Sequence, residues 1–156
     1  MYSLRGATQQ DEAAIKALIH QVGINPLGLD WSHFLLAVDE NNRMIGCGQI
    51  KPHFDGTREL ASIAVAPEQR GQGIARAIIE RLQAENSPPL YLTCRSALEP
   101  MYEKFGFRAL RQPGELSPYF KRLWRFAGLL HRLNAEIGPL SVMKWEGAVK
   151  GQTAAN

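Results

Sequence analysis

Val65-Ala66-Pro67-Glu68-Gln69-Arg70-Gly71-Gln72-Gly73-Ile74-Ala75 follows an apolar run, Leu60 to Val65, that reads as a strand. It opens a segment in which Ile74, Ala75, Ile78, Ile79 and Leu82 fall on one helical face. The quoted stretch is therefore a strand-to-helix turn with two glycines in it. Gly71 and Gly73 let the backbone turn without a Cβ in the way, so several amide hydrogens can converge on one oxyanion at the positive end of the helix. A phosphate fits such a cradle, and a tight turn without a ligand is the other reading of the same glycines. Two familiar phosphate binders are excluded: the P-loop lysine followed by Ser or Thr is absent, and Gly71-x-Gly73 has no third glycine three residues on.

Upstream, Tyr2 to Arg5 reads as a first strand, Thr8 as the cap of a helix whose hydroxyl reaches the amide near Asp11, and Gly23 as its stop after Ile15, Leu18, Ile19 and Val22. Asn25 to Trp31 is a loop by its Pro and Gly. Phe34–Val38 and Met44–Lys51 form a hairpin, with Gly46 and Gly48 marking a bulge or a close backbone approach, and His53-Phe54-Asp55-Gly56 turns the chain into Glu59–Val65. Downstream, Asn86-Ser87-Pro88-Pro89 breaks the helix before a strand at Leu90–Thr93, and a short helix starts near Pro100 and ends at Gly106. The order β-α-β-β-β-α-β-α-β is that of an α+β or mixed α/β domain.

With 156 residues and 45% hydrophobic content, the chain reads as one domain with enough length for a real core. A formal charge of +3 is too small to imply nucleic acid. Cys47 and Cys94 have neither metal-ligand nor CxxC spacing, so they read as buried free thiols and no metal is expected. The N-terminus has no apolar secretory core and no run approaches ~18 apolar residues, which implies a cytoplasmic protein without a transmembrane segment.

Arg70-x-x-Gly73-x-Ala75 after a strand ending in Val-x-Pro resembles the acetyl-CoA pyrophosphate motif of the GNAT N-acetyltransferase superfamily. Met101-Tyr102-Glu103-Lys104-Phe105-Gly106-Phe107 resembles the GNAT segment in which a tyrosine faces the sulfur of CoA, and Leu4-Arg5-x-Ala7-x-x-x-Asp11 is similar to a common GNAT start. Arg95 departs from the pattern, standing near a place where the family often has asparagine. The resemblance implies a GNAT fold: a mixed, mostly antiparallel sheet flanked by helices on both faces. It would occupy residues 1–146, with 147–156 as a disordered tail. It also implies acetyl-CoA as cosubstrate, held by Ile63, Ala64, Val65, Arg70, Gly71, Gln72, Gly73, Ile74, Ala75 and Tyr102, and a primary amine as acceptor.

Acetyl transfer to an amine dictates the catalytic groups. A protonated amine cannot attack, and with a reference pKa of ~10.4 its deprotonation at pH 7 costs about 4.6 kcal/mol. Glu59 matches a position that supplies the base in many relatives, an exposed strand-end carboxylate being the other reading. Tyr102 would protonate the leaving thiolate or orient the sulfur. A backbone amide near Val65 is the family's usual donor to the carbonyl oxygen. Asp30 and Trp31 lie where the family lines its acceptor site, although Asp30 also suits turn capping.

Residues 111–139 separate the last two strands, which in relatives are joined by a short hairpin. In that insertion Phe120, Leu123, Trp124, Ala127 and Leu130 recur at helical spacing, with Lys121, Arg122, Arg125 and Arg132 largely elsewhere and His131 as polar surface. A helix covering the sheet, a lid over the acceptor site, and a surface for a membrane or a partner are the three readings. A non-catalytic acyl-CoA-binding module that contacts a protein through residues 118–133 is the alternative to an enzyme, and a homodimer is left open.

Overall fold

The computed structural model describes residues 1–133 and 139–148, the side chains of Leu130, His131 and Leu133 excepted. The expected disordered tail from residue 149 on, and the readings of the Leu130 and His131 side chains, lie outside the described residues. Seven strands and four α-helices follow one another as β1 (Tyr2–Gly6), α1 (Glu12–Val22), β2 (Phe34–Asp39), β3 (Met44–Pro52), β4 (Arg58–Val65), α2 (Ile74–Glu85), β5 (Leu90–Arg95), α3 (Glu99–Glu103), β6 (Arg108–Ala109), α4 (Pro118–Leu133) and β7 (Leu140–Trp145). This is the α/β architecture expected, with a helical insertion before the last strand. By contact density the chain forms two compact units, Met1–Lys51 with Glu59–Asn86, and Pro52–Arg58 with the chain from Ser87 on.

In the first unit the strand order is β1-β2-β3-β4. β1 and β2 are antiparallel with Leu4 opposite Ala37, and β2 and β3 are antiparallel with Leu36 opposite Cys47. Side chains alternate across a strand, so β3 sends Cys47 to one face and Gly46 and Gly48 to the other. On the Cys47 face, Ile15, Leu18 and Ile19 of α1 pack with Phe34, Leu36, Val38, Ala64 and Ala66. On the other face α2 brings Ile74 and Ile78 so close that a Cβ at Gly46 would stand 2.9 Å from Ile74 Cγ2, and one at Gly48 2.7 Å from Ile78 Cγ2. Both reasons foreseen for these glycines are present: the close approach of α2 at Gly46 and Gly48, and a register shift beside Gly46, where Ala37 pairs with Gly46 and Val38 with Met44. α1 starts later than its cap suggested, because residues Gln9–Asp11 form a 3-10 turn first. Thr8 donates its hydroxyl to the Asp11 carboxylate at 2.9 Å, while the Asp11 amide goes to the Thr8 carbonyl.

In the second unit the order is β5-β7-β6, both pairs antiparallel, with Leu92 opposite Met143. α4 is seated by Phe120, which is 0% exposed and packs with Tyr91, Leu116 and Val142. Burying one such ring stabilises by about 1.5–3 kcal/mol, enough to hold the first turns of α4. The Asp55 carboxylate accepts from the Tyr119 amide at 2.9 Å, and the His53 and Tyr119 rings stack at 3.5 Å. Further along the stripe Trp124 is 45% exposed, so the reading of α4 as a cover does not extend to it. α3 is also shorter than foreseen, since the amides of Phe105 and Gly106 bond three residues back and Gly106 turns at φ 85°.

Candidate functional site

The turn into α2 has the geometry of an anion cradle. Gly71 and Gly73 both adopt left-handed backbone, φ 79° and 77°, and nothing lies within 4 Å of where a Cβ would stand on either. Gly73 is the residue before the helix and no side chain caps it. The first-turn amides, Ile74 and Ala75 among them, have no intrahelical partner by construction of a helix, so they are available to phosphate oxygens. Ile74 is 1% exposed, so its side chain anchors the helix and only its amide can serve a ligand. Arg70, Gly71 and Gln72 are exposed, and Gln72 Nε2 donates to Gln69 Oε1 at 3.1 Å.

The strand leading into the cradle is irregular. Ser62 in β4 has φ 57°, a left-handed conformation that a serine in a regular strand does not adopt. This break lies just ahead of Ile63, Ala64 and Val65, which the family resemblance places among the cofactor-binding residues. Ala64 is buried and Ile63 and Val65 are half-buried. At the head of the same strand Glu59 is 6% exposed, which rules out the exposed strand-end carboxylate.

The loop after α1 carries the acceptor-site candidates. Asp30 Oδ1 accepts from Ser32 at its amide (3.0 Å) and its hydroxyl (2.7 Å), capping the short turn Trp31–His33. Those hydrogen bonds hold its carboxyl below the usual range. Trp31 is half-buried against the α1 core. Asp30 is thus engaged in turn chemistry, and its outer oxygen is what remains for a ligand.

Tyr102 belongs to the second unit, at the C-terminal end of α3 with its ring edge-on to Phe107 at 6.3 Å. Burial, followed by the charge of the Cys94 thiolate form, pushes its phenol up to about 12. Cys94 is itself pushed up to about 11, by burial and then by Glu99. One turn ahead of Tyr102, Glu99 is buried and bonded by Arg111 at 2.9 Å and by the Ser141 hydroxyl, which also meets Ser96 Oγ at 2.8 Å. This set ties the start of α3 to β7 and to the beginning of the insertion.

Three residues with evident roles were missed by the sequence reading. Ser62 carries no sign of its backbone conformation. Gln49 and Lys51 were read only as strand residues, yet Gln49 is 0% exposed and donates to Ser62 Oγ at 2.9 Å, and Lys51 Nζ donates to the Leu27 carbonyl at 2.9 Å. A glutamine inside an apolar strand was the available signal. Among the described residues no group of three or more His, Cys, Asp or Glu could hold a metal ion, and no helix is long and apolar enough to cross a membrane.

The chain can be compared with known proteins on this basis. A mycothiol acetyltransferase of Saccharopolyspora erythraea is 32% identical over 74 residues, 47% of this chain and 22% of that protein. N-acetylglutamate synthase from Neisseria gonorrhoeae, solved with coenzyme A and N-acetyl-glutamate, superposes at a TM-score of 0.72 and 18% identity, over 93% of this chain and 35% of that one. Rv2747 from Mycobacterium tuberculosis, solved with CoA and NLQ, superposes at 0.69 and 20% identity over 92% of this chain and 98% of that one. At these identities the structural likeness is one of fold. The chain spans about a fifth of the mycothiol enzyme and about a third of the synthase. The model of the GNAT acetyltransferase domain matches residues 30–109, half of the chain, a stretch that holds the cradle, the irregular strand, Glu59 and Tyr102. The chain belongs to the GNAT acetyltransferase domain family.

Proposed function

We propose that this protein transfers the acetyl group of acetyl-CoA directly to a primary amine. The observation that carries the reading is the pair of left-handed glycines, open where a Cβ would stand, at the uncapped start of α2. Amides from Arg70 to Ala75 hold the pyrophosphate, each charge-assisted bond contributing about 1.5–3 kcal/mol. The irregular strand at Ser62 supports a backbone donor near Val65 for the carbonyl oxygen as charge develops there.

In this reading the acceptor ammonium gives a proton to Glu59, directly or through water. The amine nitrogen then bonds to the thioester carbonyl carbon, the C–S bond breaks, the electron pair leaves on sulfur, and the second proton that the acylated nitrogen loses balances the one the thiolate gains. Tyr102 is the residue that the family resemblance assigns to that sulfur. Against a thiol of solution pKa ~8.5, a phenol at about 12 would donate its proton uphill by about 4.8 kcal/mol. Burial keeps Tyr102 protonated, so the phenol is in the form that can donate.

The acetyl-bearing relatives make amine acceptors the class to screen first, amino acids among them. The two free, buried thiols fit a reducing cytoplasm. A second reading, a non-catalytic acyl-CoA module that docks on a protein through α4, is favoured by the exposure of Trp124, Phe126 and Leu129. Turnover decides between them: release of CoA thiol from acetyl-CoA is followed with a panel of amines. Release that depends on an added amine and falls at least about a hundredfold in Glu59→Gln supports the enzyme. Acetyl-CoA binding without release on any amine supports the module.

A further inference from the structure

The face of β3 that α1 covers at Cys47 continues through Gln49 to Lys51. Beyond α1 it turns polar, and the loop after α1 lies over it. Gln49 Nε2 donates to Ser62 Oγ at 2.9 Å and to the Gly28 carbonyl at 3.4 Å, and Lys51 Nζ donates to the Leu27 carbonyl at 2.9 Å. Gly28 turns at φ 68°, with Lys51 Cε and Nζ 3.1 Å from where its Cβ would be, so a glycine shapes this seat. A carbonyl can only accept, so Gly28 fixes which end of the Gln49 carboxamide faces it. The other end, Oε1, is buried and has no hydrogen-bond partner. Buried carboxamide oxygens in folded chains are paired with few exceptions, with protein, water or ligand, so this oxygen has room for a partner from outside the chain.

We propose that Gln49 Oε1 receives an N–H of the amine that this domain acetylates, which makes Gln49 a substrate-binding residue and the loop at Leu27 and Gly28 the cover of that subsite. The inference rests on the acetyl-transfer reading and adds a residue to it. The chemistry suits a nucleophilic nitrogen. A carboxylate in this place would favour the ammonium form and oppose the deprotonation that attack requires, whereas a neutral carboxamide oxygen orients the nitrogen with less of that penalty. The cover is lightly held at Gln49 itself, since 3.4 Å is long for an N–H···O bond. Gln49 is 0% exposed, so an entering N–H reaches it by shifting the loop at this long contact. Asp30 and Trp31 follow on the same loop, so the residues first assigned to the acceptor and Gln49 belong to one structural feature.

The test follows the side-chain NH2 signals of Gln49 by NMR, assigned by their loss in Gln49→Met, a variant of similar length without the acceptor. CoA-saturated protein is titrated with n-propylamine and, separately, with n-propyltrimethylammonium, which carries the same charge and no N–H. Saturable shifts with the first alone are expected. In turnover with acetyl-CoA, Gln49→Met raises KM for n-propylamine by about tenfold or more and leaves the acetyl-CoA Kd unchanged. No shift with either cation, equal shifts with both, or an unchanged KM in folded Gln49→Met overturns the assignment. Absence of acetyl-CoA binding to the wild type is a different failure, that of the acetyl-transfer reading itself.

Discussion

Gly73 offers a way to separate the backbone of the cradle from its charge. It sits at φ 77° and ψ 9° before α2, with no heavy atom within 4 Å of a Cβ position. An L-residue there meets the cost of the left-handed backbone and no steric clash, about 1–2 kcal/mol. Gly73→Gln and Gly73→Glu share that cost and share a shape, so their difference is one negative charge in the space assigned to the pyrophosphate. At a separation of about 6 Å and an effective dielectric of about 20, repulsion against one phosphate charge is 332/(20 × 6), about 2.8 kcal/mol, or roughly a hundredfold in Kd. Urea denaturation should place both variants about 1–2 kcal/mol below the wild type. Calorimetry with acetyl-CoA should then find Gly73→Glu weaker than Gly73→Gln by roughly that hundredfold, with the gap closing toward 1 M salt, where the screening length is about 3 Å. Equal affinities for the two variants at low salt would refute the placement of the phosphates and leave the glycines as a turn.

Other outcomes follow from the same geometry. Subtracting the alkaline absorbance titration of Tyr102→Phe from that of the wild type should isolate a phenol that ionises near pH 12 rather than near 10. Its folded pKa lies above the unfolded one, so its contribution is intact below about pH 10 and about 3 kcal/mol is lost as pH rises through about 12. Gly48→Ala should destabilise by about 1–3 kcal/mol in urea, because its methyl would meet Ile63 Cδ1 at 2.6 Å and Ile78 Cγ2 at 2.7 Å. Gly128→Ala, with nothing nearby, should instead stabilise by up to about 1 kcal/mol, and a loss there would contradict the open surroundings in α4. The hydrogen bonds from Arg111 and Ser141 hold the Glu99 carboxyl below its usual range, so the carboxylate contributes stability above the unfolded pKa that is lost as pH falls through the folded one. Glu99→Gln should be less stable than the wild type at pH 7 by about 1–3 kcal/mol, with the two converging in acid melts. Cys47 and Cys94, pushed up by burial to about 12 and about 11, should stay unreactive toward a disulfide reagent at pH 8 until denaturant exposes them.

What could be read from the sequence was what period and turn chemistry encode. Ile74, Ile78, Ile79 and Leu82 gave α2 its inner face because a helix repeats every ~3.6 residues, and all four are buried. Gly23 ended α1, and Asp30 capped its turn, for local reasons that need no tertiary partner. The same periodicity put Trp124 on the stripe of α4 without telling a covered face from a surface left for a partner. Period places residues on an angle of the wheel, but how much of that angle is covered depends on the neighbouring surface, and α4 is covered most fully near Phe120. Ser62 was illegible, and Gln49 legible only as a polar residue in an apolar strand, for a different reason. A serine at φ 57° has no side-chain signature, and a glutamine in a strand declares neither its depth nor its bonds.

These two exceptions are joined. One breaks the backbone rule for a strand, the other the pairing rule for buried polar atoms, and a 2.9 Å hydrogen bond connects them. Packing alone explains neither, since an apolar residue at position 49 would leave no unpaired oxygen. Local rules that fail together at one place in a sheet are a mark of a site shaped for a ligand rather than for stability. In β4 that place lies between Glu59 and the strand end that leads into the cradle, where an attacking nitrogen has to be held in this reading.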